Sequence, residues 1–433
     1  MTPRPRLLFL CQTMPYPPDG GVWIRTFHIL RLLSRAFDMT VLCFERAGTA
    51  GHQGSLGPRV CALERFADVE VFRLPQKHSR RRFAWDHARS LVRGRVYTHY
   101  VYDSRAFQRR LIAHLASTDF DLVHVDSLDL ARYLPACHGV PVACVHHDVE
   151  SDLLQRRARV EPSGLRRWYL ARQSRLMRAV ERRWCAAVAL NVAVSEHDRA
   201  RLMEIAPGAR VAVVPNGVDV DEFSPDAGGA HTAGTGIAFV GGAQPSPNLD
   251  ALEYFCAEIQ PHLAAEMRDV PVCWIGRASP EQQRHYRERY GVQLTGYVDD
   301  VRPLMRAAAC HIVPLRIGGG TRLKILNAWA MGKPVVSTSI GCEGLAAVDG
   351  ENVLVRDTPR QFAMAIARVL NSRSLQEQLG TNGRDTVRQR YDWDAVGAAM
   401  LEAYFSISIS RAGARSTAPK ERSVHHHAVT CDT

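Results

Sequence analysis

Residues 318–339, GGGTRLKILNAWAMGKPVVSTS, join the end of one apolar run to the start of the next through a glycine loop and a helix. Glycines lack a Cβ atom, so backbone N–H groups in such a loop can approach a ligand closely. Thr321 is the predicted N-cap of the helix, and Arg322 and Lys324 lie in its first turn. A helix N-terminus already carries partial positive charge, so two cations there indicate that an anion such as a phosphate binds between them.

Short apolar runs alternate with longer helical patterns on both sides of this stretch, which is typical of parallel sheets covered by helices on both faces. In the first half we predict strands over residues 7–11, 39–44, 69–72, 122–125, 142–146, 188–194 and 211–214. In the second half we predict strands over residues 237–241, 272–276, 293–295, 311–313, 335–338 and 353–355. The pattern predicts an α/β fold of two doubly wound, Rossmann-like domains.

The length of 433 residues suits two domains of roughly 200 residues each. The boundary falls at Pro215–Asp219, a turn sequence after a strand, and a Gly, Ala and Thr-rich linker follows over residues 228–236. We predict a first domain over 1–215, a second over 216–390, a last helix over 391–410 and a polar, disordered tail over 411–433. The tail contains His425, His426 and His427, which are expected to be part of a loose tail rather than a metal site.

The cysteines and the apolar runs indicate the cellular compartment in which we expect the protein. The eleven cysteines are scattered without a C-x-x-C pair, so we expect buried reduced thiols and no metal. No apolar stretch approaches the ~20 residues that span a bilayer. The five-residue run from Leu7 to Cys11 soon meets prolines and is predicted to be a strand, not a signal peptide. The expected location is the cytoplasm.

Positive charge is concentrated in the first half of the chain. Residues 1–215 carry 33 Lys and Arg against 20 Asp and Glu, whereas residues 216–400 carry 18 against 21. Arginines concentrate in residues 73–110 and 156–183, and the second stretch holds ten of them. This surplus indicates an anionic membrane surface, a lipid-phosphate acceptor or a nucleic acid, although a solvated basic helix face fits equally well. A nucleic acid is disfavoured because no known nucleic-acid-binding module is present.

The 318–339 segment resembles the donor-site signature of family-4 glycosyltransferases, which have the GT-B fold of two facing Rossmann-like domains. Further segments resemble the family in the expected order, and together they cover roughly residues 5–405. They are Pro17–Gly21, His147–Glu150, Val194–Glu196, Val214–Asp219, Phe239–Gly241, Pro247–Ala251 and Tyr391–Trp393. The resemblance implies that the last helix crosses back to the first domain. It also implies a retaining transfer of sugar from a nucleotide-sugar donor to a saccharide or lipid-linked acceptor.

The resemblance also implies roles for individual residues. Arg322 and Lys324 would neutralise the donor diphosphate, and His147 would hydrogen-bond the transferred sugar. Glu343 would accept hydrogen bonds from sugar hydroxyls, with an exposed loop acid as the alternative. Arg25 is a weaker anion-binding candidate, with a surface arginine as the alternative. The other donor-binding candidates are Gly20, Gly21, Gly319, Gly320, Thr321, Asn327, Gly341, Gly344 and Leu345.

In the family's mechanism a phosphate oxygen of the donor accepts the proton of the attacking hydroxyl, so we expect no protein base, no cofactor and no metal. Two departures from the family pattern matter. Its two glutamates, eight positions apart, are replaced by Gly319 and Asn327, and the second normally binds the donor ribose. The R-x-x-x-x-K pair after the Phe239 strand is absent, so more of the phosphate binding falls on Arg322 and Lys324.

Three other functions remain as alternatives to an active glycosyltransferase. The lost glutamates leave open a non-catalytic relative that only binds nucleotide sugars. A nucleotide-sugar epimerase on the same fold is the second alternative, and a nucleic-acid binder is the weakest.

Overall fold

A computed structural model describes residues 3–18, 21–45, 56–74, 80–225, 234–244, 247–263, 267, 270–317 and 322–416, with residue 80 and residues 408–416 described by their backbone alone. These residues form two fully parallel sheets, each flanked by helices. The predicted α/β fold class is therefore confirmed.

The first sheet has seven strands in the order β3-β2-β1-β4-β5-β6-β7. Its strands are β1 (Arg6–Cys11), β2 (Asp38–Glu45), β3 (Asp68–Arg73), β4 (Leu122–Val125), β5 (Val142–His146), β6 (Leu190–Ala193) and β7 (Val211–Val213). The helices of this part are α1 (Gly21–Leu33), α2 (Leu56–Glu64), α3 (Arg80–Arg93), α4 (Thr98–Val101), α5 (Arg105–Ser117), α6 (Glu150–Val160), α7 (Gly164–Ala187) and α8 (Glu196–Ile205). A 3-10 helix covers Leu128–Cys137.

The second sheet has six strands in the order β10-β9-β8-β11-β12-β13. Its strands are β8 (Ile237–Val240), β9 (Val272–Ile275), β10 (Val292–Leu294), β11 (Cys310–Val313), β12 (Val335–Ser337) and β13 (Leu354–Val355). The helices are α9 (Pro247–Tyr254), α10 (Pro280–Tyr290), α11 (Arg302–Ala307), α12 (Leu323–Ala330), α13 (Pro359–Leu370), α14 (Arg373–Arg390) and α15 (Trp393–Ser416). Short π and 3-10 segments, Phe255–Ile259 and Gln260–His262, follow α9.

Every predicted strand is present, and the largest boundary shift is at β6, which was predicted over 188–194. Central strands such as β1 and β4 are buried along their length, so their sequences are continuous apolar runs rather than alternating ones. In both sheets the strand order reverses beside the first strand, between β1 and β4 and between β8 and β11. Ligands of open α/β sheets bind beyond the carboxyl ends of the strands at such switch points.

Helix α15 packs on the first sheet although it follows the second sheet in the chain. Trp393, Met400 and Tyr404 are buried in the same cluster as Leu7 and Phe9 of β1. The helix continues to Ser416, past the predicted end at residue 410. His425, His426 and His427 lie outside the described residues. Among the described residues no helix has the length and apolar content needed to cross a membrane.

The chain crosses between the two sheets near Gly217 and again near Tyr391, and these two crossings contact each other. The backbone N–H of Val218 donates to the Tyr391 carbonyl over 2.8 Å. A Cβ atom on Gly217 would lie 2.5 Å from the indole ring of Trp393, so no larger residue fits there without movement. His28 of α1 stacks on the same indole at 4.4 Å between ring centroids. The two crossings therefore form one packed junction.

Candidate functional site

The N-termini of α1 and α12 face each other across the gap between the two sheets. Gly21 is the first residue of α1, and a Cβ atom on it would lie 3.9 Å from Cδ1 of Leu323, the first residue of α12. The first helix follows β1 and the second follows β11, so each begins at the switch point of its own sheet. Two sets of N-terminal N–H groups and two positive dipole ends therefore converge on one cleft.

Lys324 points across the cleft wall towards the first turn of α9. Its Nζ donates to Asn248 Oδ1 over 2.8 Å and lies 3.9 Å from the centroid of the Phe239 ring. Burial lowers the pKa of Lys324 well below its usual value, and the neighbouring Arg322 charge lowers it further. The site therefore holds an ammonium group whose charge is poorly compensated by the protein itself.

Arg322 occupies the N-cap position of α12, with φ −85° and ψ 87°. The prediction of Thr321 as the N-cap is therefore wrong by one residue, and the cation lies at the helix end itself. Burial lowers the pKa of Arg322, against the opposing charges of Asp148 and Glu343. The predicted residues Gly20, Gly319, Gly320 and Thr321 lie outside the described residues.

Asp148 supplies negative charge to the cleft from the first domain, immediately after His147. Burial raises the pKa of Asp148 to about 6, with Asp198 adding to the increase and Arg322 and His147 opposing it. Its electrostatic interaction with Arg322 joins residues that follow β5 to the N-cap of α12. The histidine and the arginine predicted for the site therefore belong to one cleft.

His147 is mostly buried, and its Nε2 lies 3.4 Å from Asp126 Oδ1 at the carboxyl end of β4. Asp126 also accepts hydrogen bonds from Thr26 Oγ1 of α1, the shorter of which measures 2.9 Å. Burial opposes ionisation of Asp126, but His147 and His124 outweigh it and hold the pKa below the usual value. The carboxylate is therefore ionised beside the imidazole at neutral pH.

The loop after β12 contains Gly341, Gly344 and Leu345, which were predicted to bind the donor. The N–H of Gly341 donates to Thr338 Oγ1 over 2.9 Å, and the N–H of Leu345 donates to the Cys342 carbonyl over 3.1 Å. These two N–H groups are used within the loop, which corrects their predicted role in holding the sugar and phosphates. Gly344 has a φ of +80°, and a Cβ atom there would lie 3.0 Å from Ser195 of the first domain. Glycine therefore lets this loop approach the first domain closely.

Glu343 is not an exposed loop acid, because its side chain is partly buried and bonded to the first domain. Its carboxylate accepts hydrogen bonds from both terminal nitrogens of Arg156 on α6, at 2.5 and 2.9 Å. His197 Nε2 of α8 lies 3.6 Å away. This ion pair connects the two domains at the rim of the cleft, and a sugar would have to share or displace it.

Arg25 does not bind an anion from the cleft, and it is not a surface residue. Its side chain is 1% exposed. It donates to the carbonyls of Val214 and Pro215 and to Asn216 Oδ1, over 2.7–2.9 Å. Arg25 therefore fixes the first interdomain crossing to α1.

Asn327 lies three residues beyond Lys324 on α12 and is partly buried. The sequence prediction missed Asp126, Arg156 and Asn248. Asp126 could have been found, because it follows β4 at the switch point of the first sheet. Arg156 and Asn248 gave no comparable signal, since their roles depend on how distant segments meet.

Replacing Lys324 by methionine should weaken nucleoside diphosphate binding without lowering the stability of the fold. We expect nucleoside diphosphate affinity, measured calorimetrically with UDP and GDP, to fall at least about 10-fold, because a charge-assisted hydrogen bond contributes about 1.5–3 kcal/mol. The unfolding temperature should not fall, since the lowered pKa shows that the folded protein disfavours this charge. Lys333→Met is the control. Lys333 lies beyond the other end of α12 and donates to the carbonyls of Arg306 and Ala308, so that variant should keep its affinity. Unchanged affinity in Lys324→Met would contradict the site.

Two family models match the chain. The model for Glycosyltransferase Family 4 matches residues 19–222, and the model for Glycosyl transferases group 1 matches residues 234–372. The first match covers the first sheet except for β1, and the second match covers the second sheet.

Curated relatives are similar over part of the chain. A phosphatidyl-myo-inositol mannosyltransferase of Mycobacterium leprae is 27% identical over 244 residues, which are 54% of this chain and 64% of that protein. The protein of the same description from Mycolicibacterium smegmatis is 25% identical over 320 residues, 70% of this chain and 75% of its own. A D-inositol 3-phosphate glycosyltransferase of Catenulispora acidiphila is 28% identical over 225 residues, 47% of this chain and 52% of its own. The match to the first of these spans less than two thirds of that relative's length.

Solved structures share the fold over nearly the whole chain. Anabaena HepE in complex with UDP and glucose has a TM-score of 0.65 at 15% identity, covering 93% of this chain and 100% of its own. Sucrose-phosphate synthase from Thermosynechococcus elongatus has a TM-score of 0.67 at 16% identity, covering 94% and 100%. With the two family models and the facing switch points, these likenesses establish that the chain belongs to the family-4 glycosyltransferases of the GT-B fold.

Proposed function

We propose that this protein is a retaining, metal-independent hexosyltransferase that moves a sugar from a nucleotide-diphosphate sugar to a hydroxyl of a saccharide or lipid-linked acceptor. The observation that carries the proposal is the meeting of two helix N-termini, those of α1 and α12, beside Arg322 and Lys324. The diphosphate of the donor would lie between them.

The chemistry follows from where charge develops. When the sugar–phosphate bond breaks, negative charge accumulates on the leaving diphosphate. Fixed cations and helix N–H groups at that place stabilise the transition state more than the ground state. A donor phosphate oxygen accepts the proton of the attacking hydroxyl, so no protein base is required. His147 would orient the sugar from the first domain.

The relatives support this choice of donor and acceptor. Related structures hold UDP and glucose, and related proteins are described as transferring sugars to phosphatidyl-myo-inositol or D-inositol 3-phosphate. A polyol or lipid-linked acceptor in glycoconjugate biosynthesis is consistent with these descriptions.

A groove between the domains is suited to the acceptor. Its volume is about 440 Å³, and it is lined by residues of both domains, with Arg157 and Glu161 among them. The apolar residues lining it are Val160, Pro162, Leu170, Pro247 and Ile317. An apolar groove of this kind fits the hydrocarbon part of a lipid-linked acceptor better than a bare saccharide.

Asn327 supports the second candidate, a relative that binds nucleotide sugars without turning them over. Asparagine can accept a hydrogen bond from the ribose but lacks the charge of the glutamate that is usual in the family. Charge-assisted hydrogen bonds contribute about 1.5–3 kcal/mol against about 1 for neutral ones. However, Arg322 and Lys324, the cations that would stabilise the transition state, are still present. We therefore favour a slow or selective enzyme over an inactive one.

A panel of UDP- and GDP-sugars, incubated with inositol and phosphatidylinositol acceptors and analysed by mass spectrometry and proton NMR, tests the activity. We expect a glycosylated product that retains the donor's anomeric configuration. Lys324→Ala should lower turnover by at least about 10²-fold, as loss of one strong transition-state contact does. Asn327→Glu should tighten binding of the preferred donor about fivefold. Binding without turnover or donor hydrolysis would favour the non-catalytic candidate, and an epimerised sugar formed without acceptor would favour an epimerase.

We also propose that the first domain docks on the anionic inner face of a membrane. Helices α3 and α7 lie side by side, as shown by the hydrogen bond from Gln173 Nε2 to Ser90 Oγ over 2.8 Å. Both helices are arginine-rich, and they expose Trp85 and Trp168, which are 62% and 53% exposed, and Leu165, which is 77% exposed. Aromatic rings among arginines suit the interface of an anionic bilayer.

Sedimentation with lipid vesicles tests this surface. The wild-type protein should co-sediment with phosphatidylglycerol vesicles and not with phosphatidylcholine vesicles, and added salt should weaken binding. Trp168→Ser combined with Leu165→Ser should lower the bound fraction. Met364→Ser is the control, because Met364 is 62% exposed on α13 of the second domain. Equal recovery with both vesicle types, or loss of binding in the control alone, would exclude the surface.

A further inference from the structure

Asp126 and His147 are in contact in the cleft, and this contact determines which ring nitrogen of His147 can accept a hydrogen bond from a sugar. The Nε2 atom of His147 is buried, and its contact with Asp126 is longer than an ordinary hydrogen bond. It lies 3.4 Å from Asp126 Oδ1. We infer that Asp126 is the positioning residue of His147: it holds the Nε2–H tautomer, so that Nδ1 is left as a hydrogen-bond acceptor for a sugar hydroxyl. This inference rests on the proposed function only for the identity of the ligand.

The first step of the argument is that the carboxylate cannot move. Asp126 is 2% exposed. Thr26 Oγ1 donates to it, with oxygen–oxygen distances of 2.9 and 3.1 Å to its two carboxylate oxygens. Its backbone N–H donates to the Leu10 carbonyl over 2.9 Å, which ties it to β1. The carboxylate therefore keeps a fixed position below His147.

The second step concerns the charged and titratable groups around Asp126. They come from each element packed against it: Cys11 of β1, Arg25 of α1, His124 of β4, His147 after β5 and Tyr404 of α15. The guanidinium of Arg25 is already bonded to Val214, Pro215 and Asn216. His124 Nδ1 lies 2.6 Å from the Tyr404 hydroxyl, and its Nε2 lies 3.7 Å from Asp126 Oδ1. Within this set His147 makes the shorter imidazole contact with the carboxylate.

The third step is the proton inventory. An ionised carboxylate can only accept hydrogen bonds, and a neutral imidazole carries one N–H and one acceptor nitrogen. The ring nitrogen that faces Asp126 must then carry a proton, and in a neutral ring the opposite nitrogen, Nδ1, is the acceptor. A sugar hydroxyl can donate to Nδ1, whereas a carbonyl or carboxylate oxygen cannot. The pair therefore selects a hydroxyl at the sugar position that His147 contacts.

The tautomer of His147 is measurable without any substrate, by long-range nitrogen–proton NMR on protein labelled at histidine. The His147→Gln variant assigns the signal. In the wild-type protein we expect a protonated Nε2 and an unprotonated Nδ1, and the opposite tautomer would overturn the inference. Because the NMR measurement needs no donor or acceptor, its result is independent of activity. A protein that transfers no sugar would contradict the proposed function but not the inferred tautomer.

The matched variant is Asp126→Asn, whose amide can donate towards the ring and so favours the Nδ1–H tautomer. With the preferred donor we expect kcat to fall at least about 10-fold, as when a histidine is held in the wrong tautomer, with KM for the donor little changed. Thr26→Val keeps the carboxylate charge and should keep the wild-type tautomer. A wild-type tautomer and kcat in Asp126→Asn would contradict the inference. If that variant does not fold, the tautomer of His147 in the wild-type protein still tests the inference.

Discussion

Two cations held together at the positive end of a helix are the constraint on which the site depends. Arg322 and Lys324 repel each other, and burial lowers the pKa of both. Asn248 and the Phe239 ring contact Lys324, and the charges of Asp148 and Glu343 act on Arg322. An anion between the two cations would relieve their repulsion, which favours binding of a diphosphate.

The fold is what brings that helix opposite a second domain. Arg25 fixes the first crossing to α1, and Trp393 packs on Gly217 at the same junction. The Arg156–Glu343 pair then connects the cleft rim on the far side. The junction and the rim contact together define the gap in which Gly21 meets Leu323. A ligand that draws Glu343 away from Arg156 would therefore alter a contact between domains as well as a local charge.

The sequence was sufficient for the sheets because central parallel strands are buried on both faces, and their continuous apolar runs are unambiguous. The two cations could be singled out because they follow β11 at a switch point, whereas the role of His147, which follows β5, came from the family resemblance. The sequence failed where the answer depends on packing between distant segments. Arg25 was predicted to be either a weaker anion-binding candidate or a surface arginine, and nothing local reveals that its guanidinium donates to the carbonyls of Val214 and Pro215. The partner of Glu343 lies 187 residues away in the chain, so no local pattern could identify it.

The most direct test of the account is a crystal structure with a bound nucleoside diphosphate. The account predicts phosphate oxygens within about 3 Å of the Arg322 guanidinium and of Lys324 Nζ, between the N-termini of α1 and α12. It also predicts that Lys324 turns at least part of its hydrogen bonding from Asn248 to the phosphate. A nucleotide bound elsewhere, with Lys324 still bonded only to Asn248, would contradict it.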